Sequence, residues 1–311
     1  MEDTDATGGL AALIDGLAWL FGGMIMAFRD LAFAVTHPSL WLDWGNAKAV
    51  MRFVYYGGSQ EFFFVVFTAF VVLTAIGMWR HSILWGGVRV LEGFANAIGR
   101  LFAWAGLLMV FQQIIIVFMQ RIFAASEISV GFGTALTFDV SWWSEELKLY
   151  NAMIVALCVS YTFVQGGHVR VDLVYARVSH GTKRIIDMLG ALLFMMPMAV
   201  LTWLYGWYFL WRHLITPKPS ASESLDRLMM KARVLRWNVE TIGFSPNGFN
   251  AYFLFKVLLV AFAGLVFLHA IAFFWRSYLE WREGEESAGK YLDHDWHQGD
   301  AETAEHVLES R

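Results

Sequence analysis

The sequence predicts an all-α, polytopic membrane protein, and three observations carry that reading. Of 311 residues, 58% are hydrophobic and only 16% are charged, against about a quarter charged in an ordinary water-soluble domain. Five uncharged apolar runs, residues 62–79, 101–120, 149–167, 188–211 and 257–275, reach the ~18 residues that a helix needs to cross hydrocarbon. None alternates with period two, so a β-barrel is not indicated. Fifteen Trp and twenty-seven Phe against five Pro suit a chain solvated by lipid, because Trp collects at membrane interfaces.

The first element is Leu10 to Val35, apolar but carrying Asp15, Arg29 and Asp30, and a charge at mid-bilayer costs about 2.5–3.5 kcal/mol. Asp15, Gly22, Arg29 and Thr36 recur at intervals of seven, on one helical face. Residues 10–35 are therefore expected as an amphipathic helix lying in the interface or against a partner, in preference to a span. Glu2, Asp3 and Asp5 precede it without a basic residue, unlike the positive start of a signal peptide. Residues 62–79 form an extra span, so 1–96 reads as an N-terminal extension. The other four runs make a core over 97–276, with Pro197 expected to kink the fourth.

Lys and Arg in short loops set orientation. Arg170, Arg177, Lys183 and Arg184 lie between Gly167 and Ile185, whereas Arg121 stands alone in Arg121 to Leu147 beside Glu127, Asp139, Glu145 and Glu146. The first loop is expected to be cytoplasmic and the second external. Arg80, Arg89 and Arg100, with Arg276, Arg282 and Lys290, agree and put the C-terminus inside. Alternation then makes 212–256 external although it holds Lys218, Arg227, Lys231, Arg233 and Arg236. Ser220 and Glu223 have capping-box spacing, and Leu225, Leu228, Met229, Ala232 and Leu235 recur helically. A short basic amphipathic helix follows, lying on the outer membrane face or under a partner, or else serving as a solvated linker. Residues 277–311 read as an acidic tail: from 276 onward there are four Lys/Arg and ten Asp/Glu. With the rest of the chain nearly balanced, a nucleic-acid partner is not expected.

Chemistry-bearing residues are sparse. Only His269 lies well inside an apolar run, so a bis-His haem cannot be closed, and His269 reads as a packing residue. Cys158 is the single Cys, which excludes an intrachain disulfide or a thiolate cluster. Neither HExxH nor GxSxG occurs. No catalytic, cofactor or metal residue is expected, and the nearly charge-free spans argue against the chain itself conducting a charged substrate. Trp203, Trp207 and Trp211 repeat at i, i+4, i+8 and form a stripe, open to lipid or to a partner helix.

Three stretches carry a resemblance: Gln120-Arg121-Ile122-Phe123, Trp142-Trp143-Ser144-Glu145-Glu146-Leu147, and Gly166-Gly167-His168-Val169-Arg170-Val171-Asp172. Together with Ser245-Pro246-Asn247-Gly248 and Lys256, they resemble the small, DctQ-type membrane subunit of tripartite ATP-independent periplasmic (TRAP) transporters over about Ala97 to Arg276. The resemblance implies a non-catalytic four-helix subunit in the bacterial inner membrane. It would stand beside a large transport subunit, fed by a periplasmic substrate-binding protein and driven by sodium, with substrate and ion sites on the large subunit and a small organic acid as cargo. It marks Arg121, Glu145, Glu146, His168, Arg170 and Asp172 as motif residues, to which the Trp stripe adds an interface candidate. Glu145 and Glu146 are expected in a helix's first turn, favoured by the macrodipole. The first 96 residues and the long 212–256 loop depart from the compact family pattern. A membrane anchor for a redox or other enzyme complex is the alternative from a different class.

Overall fold

The computed structural model describes residues 3–131, 133, 135–165, 177–241 and 247–293. In chain order the described α-helices are α1 (Asp3–Thr36), α2 (Ser39–Leu42), α3 (Ala47–Gly57), α4 (Gln60–Trp79), α5 (His81–Val117), α6 (Val140–Leu157), α7 (Val159–Val164), α8 (His180–Gly190), α9 (Met196–Leu214), α10 (Leu225–Lys231) and α11 (Phe253–Glu283). Among the described residues five helical stretches are long and apolar enough to cross a membrane: Ile14–Thr36, Gln60–Trp79, His81–Ile122, His180–Leu214 and Phe253–Glu283. The chain is an all-α, multi-pass membrane protein.

The membership of the five differs from the sequence expectation. Residues 14–36 qualify, although 10–35 was read as an interfacial helix. The charges sit toward the ends of this stretch: Asp15 opens it, and Arg29 pairs with Asp30 at 2.9 Å, leaving the residues between them uncharged. Of the run expected at 149–167, the described part is shared by two helices: α6 starts early, at Val140, and breaks at Cys158, after which α7 runs to Val164. The span expected at 101–120 belongs to a helical stretch of 42 residues, His81–Ile122, about 63 Å at 1.5 Å per residue. Its last turn, Phe118–Ile122, is a π-helix. Pro197 produces a second π-turn, Ala191–Met195, joining α8 to α9. Proline has no N–H to donate and crowds the carbonyl four residues back, and the wider turn absorbs both defects.

The chain packs as two compact units, Met1–Trp79 with Trp203–Glu240, and Arg80–Thr202 with Thr241–Arg311. In the first, α1 lies along α4, with Trp19 edge-on to Phe64 at 4.8 Å. Asn46 caps α3 by accepting the Lys48 N–H at 3.0 Å, and α3 buries Ala49, Val50, Met51 and Val54. After α9 the chain makes a short antiparallel pairing, Ile215–Thr216 (β3) with Arg236–Trp237 (β4), around α10. The capping-box spacing marks a turn one step early. The Ser220 N–H donates to Glu223 Oε2 at 3.1 Å, but α10 begins after Ser224.

In the second unit α5 is the central element. Its buried positions Leu84, Trp85, Val88, Glu92, Ala95, Asn96 and Gly99 follow the 3.6-residue period of one face, which meets α11 and α7. Gly99 is required by close approach, since a Cβ there would overlap the Tyr161 side chain; beside it the Cys158 thiol donates to the Gly99 carbonyl at 3.4 Å. Between α5 and α6 an antiparallel hairpin, Glu127–Val130 (β1) and Leu136–Asp139 (β2), buries Ile128 with Ile116 and Val140.

Candidate functional site

The densest polar chemistry in the described residues lies where α5, α8 and α11 meet. Arg276 of α11 grips Glu92 of α5 in a two-pronged pair, Nε to Oε1 at 2.7 Å and Nη2 to Oε2 at 2.6 Å. Its remaining nitrogen, Nη1, donates to the Lys290 carbonyl at 3.0 Å and lies 3.4 Å from Glu280 Oε1. Glu280 Oε2 pairs with Arg184 of α8 at 2.6 Å, and Arg184 pairs with Asp187 at 3.2 Å. Five side chains thus alternate in sign from Asp187 to Glu92. Glu280 is only 1% exposed, Glu92 5% and Arg276 7%.

Burying such ions costs several kcal/mol each, and only good geometry with further hydrogen bonds repays it. Both conditions hold at Arg276. The guanidinium fork matches a carboxylate bidentately, the Trp85 ring lies 5.5 Å from the Arg276 guanidinium carbon, and Glu280 also accepts the Gly289 N–H at 3.2 Å. Sequence reading took Arg276 as a positive loop anchor and passed over Glu92. A Glu nine residues before the apolar stretch 101–120 looks solvated until its partner, 184 residues away, is known.

The expected acidic tail is folded back over its first part. Asp293 accepts from Arg100 at 3.1 Å and from Asn96 Nδ2 at 3.2 Å, and its carbonyl accepts from Gln165 at 2.8 Å. Glu283 accepts the Trp85 indole N–H at 3.0 Å. Residues 277–293 are therefore packed structure, because their carboxylates meet cations and amides of α5 and α8. The remainder of the tail lies outside the described residues.

The Trp stripe is occupied by the chain itself, which corrects its reading as a surface left for lipid or a partner. Trp203 Nε1–H donates to the Gly57 carbonyl and Trp207 Nε1–H to the Val54 carbonyl, both at 2.8 Å. These are carbonyls at the C-terminal end of α3, where no further helical N–H arrives. Gly57 and Gly58 permit the approach: a Cβ on either would run into the Trp207 or Tyr208 ring. Trp211 stacks on Trp44 at 6.4 Å, and Trp207 and Trp211 are buried. Sequence reading missed α3, although Asn46, the apolar positions 50, 51 and 54, and the Gly57-Gly58 stop spell a short amphipathic helix.

Of the motif residues, His168, Arg170 and Asp172 lie outside the described residues. Arg121 is exposed in the π-turn ending α5 and makes no ion pair with a described residue. Glu145 and Glu146 sit in the second turn of α6, not its first, because the helix starts at Val140. The macrodipole position belongs instead to Asp139, which caps the helix by accepting the Ser141 N–H at 2.8 Å and the Ser141 hydroxyl at 2.6 Å. Those bonds hold its carboxyl below the usual range. Glu146 accepts from Gln112 of α5 at 3.1 Å, and the same amide reaches the Trp143 carbonyl at 2.9 Å. His269 is buried between Phe163 and Phe273, with ring centroids at 5.2 and 6.2 Å.

No protein-family model, curated protein or solved structure matches the chain.

Chemically, these residues are equipped to fasten helices. The buried carboxylates and guanidiniums neutralise one another, and among the described residues no group of three or more His, Cys, Asp or Glu can hold a metal ion. The polar cluster gathers at one end of α11, at Arg276 and beyond, while residues 257–268 and 270–275 of that helix carry no ionisable side chain.

Proposed function

We propose that the chain is the non-catalytic small membrane subunit of a TRAP transporter. It scaffolds a large transport subunit for sodium-driven uptake of a small organic acid that a periplasmic binding protein delivers. One observation carries this reading: the buried charges of α5, α8 and α11 are spent on one another outside the apolar stretches 101–120, 198–211 and 257–268, which hold none. A conducting chain needs ionisable or unwound elements near the membrane midplane; a scaffold needs helices fixed in register. The stretches at 120–123, 142–147 and 166–172 support the family by resemblance.

The chain sits in the bacterial inner membrane with the 167–185 loop and the C-terminus cytoplasmic. In support, α3 precedes α4 and packs on the end of α9, so the start of α4 and the end of α9 share a side, as alternation requires when α6 and α7 together count as one crossing. The basic 212–256 loop is compatible with the external side because its cations are partly neutralised: Lys231 pairs with Glu223, and Lys218 with Glu240 at 3.4 Å.

Two experiments test this. In a Cys158→Ser background, an impermeant thiol reagent added to whole cells should label Val130→Cys and spare Thr182→Cys; the reverse pattern ends the orientation. Co-expressed with a multi-span partner and a periplasmic solute receptor, the chain should support sodium-dependent uptake in proteoliposomes that it does not support alone. Uptake by the chain alone, or its recovery in a haem- or flavin-containing complex, overturns the assignment.

A further inference from the structure

Beside the ionic cluster, the second unit holds a cleft of about 360 Å³ whose walls include His81, Trp85, Gly86, Arg89, Lys290 and Tyr291. Two cations reach into it. The Lys290 ammonium lies 5.5 Å from the Trp85 ring centroid and 5.3 Å from that of Tyr291. The Arg89 guanidinium carbon lies 5.2 Å from the Tyr291 ring, and Arg89 makes no ion pair with a described residue. The carboxylate in the cleft, Glu283, is already engaged by the Trp85 indole N–H at 3.0 Å, by His81 at 3.1 Å and by Lys290 at 3.6 Å. Positive charge is therefore in excess. The cleft wall is bare at Gly86, where a Cβ would meet nothing within 4 Å.

The place of the cleft selects its occupant. Its residues Glu283, Lys290 and Tyr291 follow the uncharged apolar stretch 257–275 of the candidate span Phe253–Glu283, so the cleft lies past the apolar end of that helix, on the side where lipid headgroups begin. Arg and Lys beside Trp and Tyr supply charge for a phosphate and amphipathic walls for the glycerol region below it. We propose that the cleft binds the phosphodiester headgroup of a membrane phospholipid, with Arg89 and Lys290 on its oxygens and Trp85 and Tyr291 flanking it. The site stands apart from the transporter reading and holds for any partner the chain has.

Free inorganic phosphate offers the same anion chemistry, so the test uses both. The full chain, purified in mild detergent, is titrated with short-chain phosphatidylglycerol and separately with inorganic phosphate, and bound ligand is counted by native mass spectrometry. The lipid should bind, and the Arg89→Gln/Lys290→Gln variant should bind it at least tenfold more weakly. Gly86→Glu, which puts a carboxylate into open space, should weaken binding comparably while leaving the melting temperature unchanged. Lys290→Arg should stay within about twofold. Undiminished lipid binding in both the double variant and Gly86→Glu overturns the site, and phosphate binding as tight as the lipid's overturns the lipid as its occupant.

Discussion

The two units fasten their helices by different chemistry. In the first, neutral indoles do the work: Trp203 and Trp207 donate to the Gly57 and Val54 carbonyls while their rings stack at 5.3 Å. In the second, ions do it, through the alternating chain from Asp187 to Glu92. An indole loses little on leaving water if its one N–H finds an acceptor, whereas a guanidinium needs a carboxylate and more. The first unit should therefore tolerate the loss of a single bond. The second should respond to single changes severely and to matched double changes mildly.

The largest effect should come from Arg276→Met, which leaves Glu92 and Glu280 buried without their common partner. Breaking a buried pair from one side costs about 3–5 kcal/mol, read as a fall in unfolding free energy in a mild-detergent and SDS titration. Glu92→Met/Arg276→Met should recover much of that loss, and equal losses in single and double variants would refute the alternating network. Next comes Gly57→Ala. Alanine is the better helix former, yet its Cβ meets the Trp207 ring, and overpacking of this kind costs about 1–3 kcal/mol; a stabilised variant would disprove the contact.

A smaller change follows from Trp203→Phe, which keeps an aromatic ring and removes one hydrogen bond worth about 0.5–1.5 kcal/mol. A loss as large as that of Arg276→Met would erase the contrast between the units. Smallest is the pH response of the α6 cap. Because the Asp139 carboxyl is held below its unfolded value, its contribution is complete above about pH 4 and fades as pH falls through the folded value. Melting curves between pH 6 and pH 3 should therefore show a slightly shallower acid loss for Asp139→Ala than for the parent chain, and identical slopes would remove the cap from the account.

Long uninterrupted apolar runs made the membrane class and the cores of α4, α5, α9 and α11 legible, because hydrocarbon solvation acts on composition alone. Pro197 was legible as a defect, though its outcome was a π-turn. What escaped was amphipathic or distant. Residues 81–100 of α5 include Arg89, Glu92 and Arg100, which lower the hydropathy there and conceal a buried face at 3.6-residue spacing. The β1–β2 hairpin was hidden by the shortness of its strands, and α3 by having only 11 residues. Among the site residues, the Trp stripe was readable as a stripe but not as one already filled. Glu92 and Glu280 could not be paired with Arg276 and Arg184 from local sequence, since nothing in a helical period says which distant charge will arrive.

The alternating ion chain also imposes an order on biosynthesis. Glu92 and Arg184 leave the ribosome well before Arg276 and Glu280, and in the interval Glu92 lacks the guanidinium that grips it in the folded unit, while Arg184 has Asp187 of its own helix. The finished arrangement of α5 and α8 is reached only when the end of α11 supplies Arg276 to the one and Glu280 to the other. The same residues that hold the finished unit together thus also mark its completion, since a chain that ends before Arg276 leaves Glu92 without the cation that its burial requires.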